Sequence, residues 1–79
     1  MELWFQGGGE YVKLKIDRIN HTFEIGSSKT NYAFASQPFN KLFDNSEEQA
    51  EMELVDDKKF IKTITNSFQK VGYKIIKVS

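Results

Sequence analysis

Residues 56–72 read DDKKFIKTITNSFQKVG, and this stretch decides the fold. At about 100° per residue its apolar side chains gather on one side, which predicts an amphipathic helix with one buried face. The apolar side consists of Phe60, Ile61, Ile64, Phe68 and Val71. Asp56 is a favourable N-cap, and Gly72 suits the position just beyond a helix end. We therefore predict the main helix at about residues 56–71.

The segments on either side of this helix differ in how clearly their pattern can be interpreted. Residues 73–78 are rich in β-formers and predict a strand. In residues 46–55 the alternating run EMELV favours a strand, whereas Ser46 followed by Gln49 fits a helical capping box. Both interpretations stay open; we favour a loop or short turn followed by a strand at 52–55. A right-handed crossover through the helix would then connect the two strands.

The N-terminal half of the chain predicts a β-hairpin over residues 10–25. Apolar and charged side chains alternate there with the period of two that half-buried strands show, and the turn falls at residues 20–21. Residues 32–35 predict a third strand, which Pro38 ends. The apolar spacing within residues 39–43 predicts one or two helical turns packed on the sheet.

Together these elements predict an α+β fold. We expect a small antiparallel sheet of four to five strands, with the main C-terminal helix at 56–71 packed on one face and a final strand after it. Residues 10–79 then form a single domain.

Residues 1–9 are predicted to be a flexible N-terminal arm that contains a short strand and ends in a glycine hinge. The Phe5-Gln6-Gly7 step also resembles the end of the tobacco-etch-virus protease cleavage site, although Trp4 replaces its usual tyrosine. A remnant of an expression vector is therefore the alternative interpretation of residues 1–9.

Length and composition limit how the fold can be stabilised. A chain of 79 residues buries only about 60% of its accessible surface, and without cysteine it has no disulfide or thiolate metal site. Seven phenylalanines, three tyrosines and one tryptophan supply a hydrophobic core, which a homodimer could share. The chain has no apolar run of membrane-spanning length and no secretory signal, so we expect a cytoplasmic protein.

The residues that usually carry catalysis are scarce. His21 is the only histidine and falls in a predicted turn, so neither a Cys–His nucleophile nor a multi-histidine metal site can be built. An EF-hand loop starting at Asp44 would need Gly and Glu where Gln49 and Val55 stand. We therefore expect no enzyme activity, no catalytic residue, no metal and no cofactor.

A charge split is the feature closest to function. The net charge is zero, yet residues 44–57 hold seven acids and no base, and residues 58–79 hold six lysines and no acid. Asp56 and Asp57 are explained by the start of a helix, whose dipole favours carboxylates. The acids without a structural explanation are Asp44, Glu47, Glu48, Glu51 and Glu53. We predict that these five form a protein-binding surface that docks on a basic surface of a partner.

The leading functional prediction is thus a small non-enzymatic protein-binding module: a regulator, an inhibitor or an accessory factor. Two alternatives remain. The first is a nucleic-acid-binding domain that uses the lysine face of the helix; Tyr32 and Phe34 could add base stacking, although core packing of these rings is favoured. The lysine face consists of Lys58, Lys59, Lys62 and Lys70. The second alternative is a structural homo-oligomer.

Overall fold

Five antiparallel strands form one sheet in the computed structural model, which describes residues 1–79. The strands are β1 (Glu2–Gly7), β2 (Glu10–Asp17), β3 (Thr22–Ser27), β4 (Ser36–Pro38) and β5 (Lys74–Val78), and the helices are α1 (Ser46–Leu54) and α2 (Asp57–Lys70). Short 3-10 turns lie at Ser28–Thr30 and Phe39–Lys41. The strand order is β4-β3-β2-β1-β5. The predicted α+β fold with a final C-terminal strand is confirmed.

The N-terminal segment is an inner strand and not a free arm. β1 pairs with β2 on one side and with β5 on the other, so its backbone is hydrogen-bonded along both edges. Leu3 and Phe5 are completely buried. The glycines that follow form the tight turn into β2, where Gly8 and Gly9 adopt positive φ. Residues 1–9 therefore belong to the folded sheet.

The predicted hairpin is present as β2 and β3. Its turn is held by Asp17, whose Oδ1 accepts hydrogen bonds from the backbone N–H groups of Ile19 and Asn20 at 3.1 and 3.0 Å. His21, and not Asn20, adopts the left-handed conformation, with a φ of 55°. The hairpin places the side chain of His21 next to α1.

The core lies between one face of the sheet and the two helices. Eleven apolar residues are buried there: Leu3, Phe5, Val12, Leu14, Ile16, Phe23, Phe39, Phe43, Met52, Phe60 and Ile64. α2 contributes Phe60 and Ile64 directly, and Phe68 stacks on Phe5 with ring centroids 4.1 Å apart. Val71 is 69% exposed because α2 ends before it, so its predicted place on the buried arc is wrong.

Residues 46–54 form helix α1, so the favoured strand at 52–55 is wrong. Asn45 caps the helix by accepting a hydrogen bond from Glu48 N at 2.8 Å, and Met52 is its buried contact with the core. With no strand there, the predicted crossover is also absent: β5 pairs antiparallel with β1.

The predicted third strand at 32–35 is also wrong. Asn31 and Tyr32 adopt positive φ values of 53° and 54°, which interrupts an extended strand. The short edge strand β4 follows instead, and Pro38 is its last residue, a position where a missing N–H is tolerated. Residues 31–35 therefore form a loop.

A single arginine joins the hairpin to both helices. Arg18 donates from Nη2 to the carbonyl oxygens of Met52 and Val55, at 3.0 and 2.6 Å, and from Nη1 to Asp57. Its guanidinium also lies over the ring of Phe60. Through these contacts Arg18 holds both the end of α1 and the start of α2 against the hairpin. Neither helix has the length and apolar character needed to cross a membrane.

Candidate binding surfaces

The five predicted acidic site residues do not form one patch. Asp44 precedes the cap of α1, and the other four are distributed around the helix. Asp44, Glu47 and Glu51 are exposed, whereas Glu48 and Glu53 are half-buried. The helical period, which the sequence did not clearly predict here, causes this separation.

Glu53 is held by contacts within the protein. Its Oε1 accepts a hydrogen bond from Gln49 Nε2 at 3.2 Å and lies 2.8 Å from His21 Nδ1. The hydrogen bonds from Gln49 and His21 hold the pKa of Glu53 below its ordinary value of 4.5. Glu53 therefore fixes α1 against the hairpin turn, and it is not free to serve as a docking contact.

Glu47, Glu51 and Leu54 form the outer stripe of α1. Their spacing of four and three residues places them on one side of a helix. Leu54 is 88% exposed, an unusual position for a large apolar side chain. Neither carboxylate takes part in an ion pair within the chain. The outer stripe therefore offers an apolar contact beside two unpaired negative charges.

The predicted lysine face of α2 is exposed along its whole length. Lys58, Lys59, Lys62 and Lys70 are all exposed, and none forms an ion pair within the chain. Lys58 and Lys70 are twelve residues apart, which corresponds to about 18 Å along the helix. The four ammonium groups are thus an extended row and not a compact cluster.

A third surface, which the sequence did not predict, is the face of the sheet that the helices leave uncovered. Trp4 and Tyr32 meet edge to face there with ring centroids 6.0 Å apart, and Phe34 stacks beside Tyr32 at 6.2 Å. Tyr32 and Phe34 are therefore outside the core, contrary to the favoured prediction. A Cβ at Gly26 would lie 3.0 Å from Tyr32 Cα and 3.0 Å from the Phe34 ring, which is tighter than an ordinary contact, so glycine allows the loop to lie closely on the sheet.

Lysines accompany the rings on this uncovered face. Lys13 Nζ lies 4.6 Å from the centroid of the Trp4 ring, and Lys15 Nζ lies 4.0 Å from that of Phe34. A groove of about 380 Å³ opens between the rings and β5. Its lining residues are Trp4, Tyr11, Tyr32, Ile76 and Lys77.

The outer edge of β5 is an unpaired strand edge with protective features. The pairing of β5 with β1 shifts register between Trp4 and Phe5, and the five-residue strand carries Lys74 and Lys77. Bulges and lysines are both typical of edges that avoid pairing with other strands. Dimerisation by extension of the sheet is therefore not favoured by this edge.

No three His, Cys, Asp or Glu side chains are close enough together to hold a metal ion. Comparison of the chain with protein-family models, with curated proteins and with solved structures finds no match. The protein has three candidate binding surfaces: the outer stripe of α1, the lysine row of α2 and the uncovered sheet face.

Sequence reasoning missed the surface residues Leu54, Tyr11 and Trp4. A strand at 52–55 would place Leu54 on the same face as Met52. The position of Leu54 seven residues after Glu47 was the signal for a shared helical stripe. The alternation of Tyr11 with Val12 already assigned Tyr11 to the face of β2 opposite the core.

Proposed function

We propose that the protein is a small, non-enzymatic, cytoplasmic protein-binding module that docks on a basic surface of another protein through α1. The observation that carries this proposal is the outer stripe, where the exposed Leu54 lies beside the unpaired carboxylates of Glu47 and Glu51. Aliphatic anchors with neighbouring charges suit a partner that has a shallow apolar pocket bordered by lysine or arginine.

The contacts that hold α1 in place favour docking through this helix, because the helix is already ordered before a partner binds. Asn45 caps the start of α1, Arg18 donates hydrogen bonds to the carbonyl oxygens of Met52 and Val55 at its end, and Glu53 contacts His21. A helix that is already ordered loses less conformational entropy on binding. Because Glu53 is held by Gln49 and His21, we leave it out of the proposed docking surface. The surface then consists of Asp44, Glu47, Glu48, Glu51 and the exposed Leu54.

Affinity capture from the native cell with matched variants tests the proposal. The docking variant combines Glu47→Gln, Glu51→Gln and Leu54→Ser, all at exposed positions, so the fold should persist. The control combines Lys58→Gln and Lys62→Gln on the exposed side of α2. We expect at least one protein to be captured by the wild type and the control but lost with the docking variant. Equal capture by all three would contradict the proposal.

A second candidate function is nucleic-acid binding through the lysine row of α2. The observation in its favour is that none of Lys58, Lys59 and Lys62 is neutralised by an ion pair. Such binding would weaken steeply with salt because each phosphate contact releases counterions. Loss of binding in the Lys58→Gln, Lys62→Gln variant would support this candidate.

A further inference from the structure

The strand register places six side chains in two neighbouring rows on the uncovered sheet face. Directly paired residues share a face, and Trp4 pairs with Lys13 on one side and with Lys77 on the other. In the next row, Gln6 pairs with Tyr11 and with Lys74. We call these six residues the aromatic half of the uncovered face. It contains three lysines and no acid.

The remainder of the uncovered face has a different charge. Lys15 pairs with Glu2 on one side and with Glu24 on the other, so this row alternates in sign. Glu2 also lies 3.2 Å from Lys13 Nζ. Lys74 and Lys77 are therefore the exposed ammonium groups of the aromatic half that have no ion pair.

The aromatic half also offers accessible ring surface. Tyr11 is 45% exposed and borders the groove of about 380 Å³, together with Trp4 and Tyr32. Because every base has a flat π-face, an exposed ring beside a positively charged strand is the arrangement that single-stranded nucleic acids recognise. Double helices keep their bases stacked internally and offer the groove no free base.

We infer that the aromatic half binds single-stranded nucleic acid, with a base stacked in the Tyr11–Trp4 groove and neighbouring phosphates on Lys74 and Lys77. This site is separate from the α1 surface of the proposed function. It also lies on the opposite face of the sheet from α2, whose Phe60 and Ile64 are in the core. The lysine row of α2 is therefore a separate surface.

Trp4 supplies the direct readout because it is the only tryptophan. Titration with eight-nucleotide oligouridylate and oligothymidylate at low ionic strength should quench its fluorescence. With two or three phosphate contacts, a plot of log affinity against log salt should have a slope of about −1 to −2. The absence of any binding to either oligonucleotide at low salt would overturn the inference.

Three variants locate the binding. Tyr11→Ser should weaken binding about tenfold through lost stacking, and Lys74→Ser with Lys77→Ser should weaken it and flatten the salt slope. The control is Lys41→Ser, at an exposed lysine outside the aromatic half and outside the lysine row of α2, which should leave the affinity unchanged. Equal loss with this control, or an unchanged affinity for Tyr11→Ser, would overturn the inference. So would equally tight binding of an oligo-aspartate peptide, which has the charge but no base to stack.

Discussion

The guanidinium of Arg18 and the carboxylate of Asp57 meet with Nη1 and Oδ1 2.7 Å apart, which joins the hairpin to the first residue of α2. The other guanidinium nitrogen binds the carbonyl oxygens of Met52 and Val55 at the end of α1. One side chain thus holds the α1–α2 junction against the sheet. The position of the outer stripe of α1 depends on this junction.

Arg18→Ala should lower the free energy of unfolding by about 2 kcal/mol, because three hydrogen bonds from a charged donor are lost. Asp57→Asn should cost less than about 1 kcal/mol, since the Asp57 side chain is 72% exposed and its ion pair is screened by water. Urea unfolding followed by Trp4 fluorescence measures both. A loss for Arg18→Ala no larger than that for Asp57→Asn would contradict this role of the carbonyl contacts.

Leu3→Ala should lower the free energy of unfolding by about 3 kcal/mol, because it opens a cavity beneath an inner strand. The matched control is Ile19→Ala in the hairpin turn, where the side chain is 88% exposed and the cost should stay within about 0.5 kcal/mol. Thermal and urea unfolding of the two variants make the comparison. Similar stability for both would mean that residues 1–9 are the dispensable arm that the sequence suggested.

The stability of the protein should depend on pH through Glu53. The pKa of Glu53 in the folded protein is lowered from 4.5 by its hydrogen bonds with Gln49 and His21, so the folded state favours the ionised carboxylate. Its stabilising effect is therefore complete above the unfolded pKa and is lost as the pH falls through the folded pKa.

Unfolding of the wild type and of Glu53→Gln between pH 5 and pH 3, where the carboxylate itself titrates, tests this direction of the pKa shift. The stability difference between them should shrink as the solution becomes more acidic. Glu47→Gln, which removes a carboxylate that makes no ion pair within the chain, is the matched control. A difference between wild type and Glu53→Gln that grows towards low pH would show that the carboxylate is not stabilised by these contacts.

The parts of the fold that could be predicted are those in which local pattern and packing agree. Asp56 accepts a hydrogen bond from Lys59 N at 2.8 Å, as a cap should, and Phe60 and Ile64 are buried on the predicted side of α2. The alternation in residues 10–25 likewise gave the hairpin, because one face of β2 and β3 covers the core. A strong hydrophobic periodicity was therefore sufficient to predict both α2 and the hairpin.

The errors arose where two periods fitted the same few residues. In a strand, Met52 and Leu54 would share a face, but about 100° per residue places them on nearly opposite sides of a helix. The cap that Asn45 provides for α1 favours the helix over the strand in this segment. At Tyr32, the left-handed backbone overrides a preference for strands: its Cα lies above Gly26 and its ring lies against Trp4.

The candidate site was less predictable than the fold because the residues that contact one another there are far apart in the sequence. Glu53 contacts His21 across 32 positions, and Arg18 contacts Asp57 across 39. Such long-range contacts leave no local pattern. These contacts distinguish Glu53 and Asp57, which hold the fold together, from Glu47 and Glu51 of the outer stripe, which make no ion pair within the chain.

The most direct test of the proposed function is site-specific photo-crosslinking from α1 in the native cell. A photoreactive phenylalanine derivative replaces Leu54, which is 88% exposed, and in a matched protein it replaces the exposed Asn66 of α2. We predict a discrete crosslinked partner from position 54 that disappears when Glu47→Gln and Glu51→Gln are added, and no such product from position 66. The same products from both positions, or none from position 54, would contradict docking through α1.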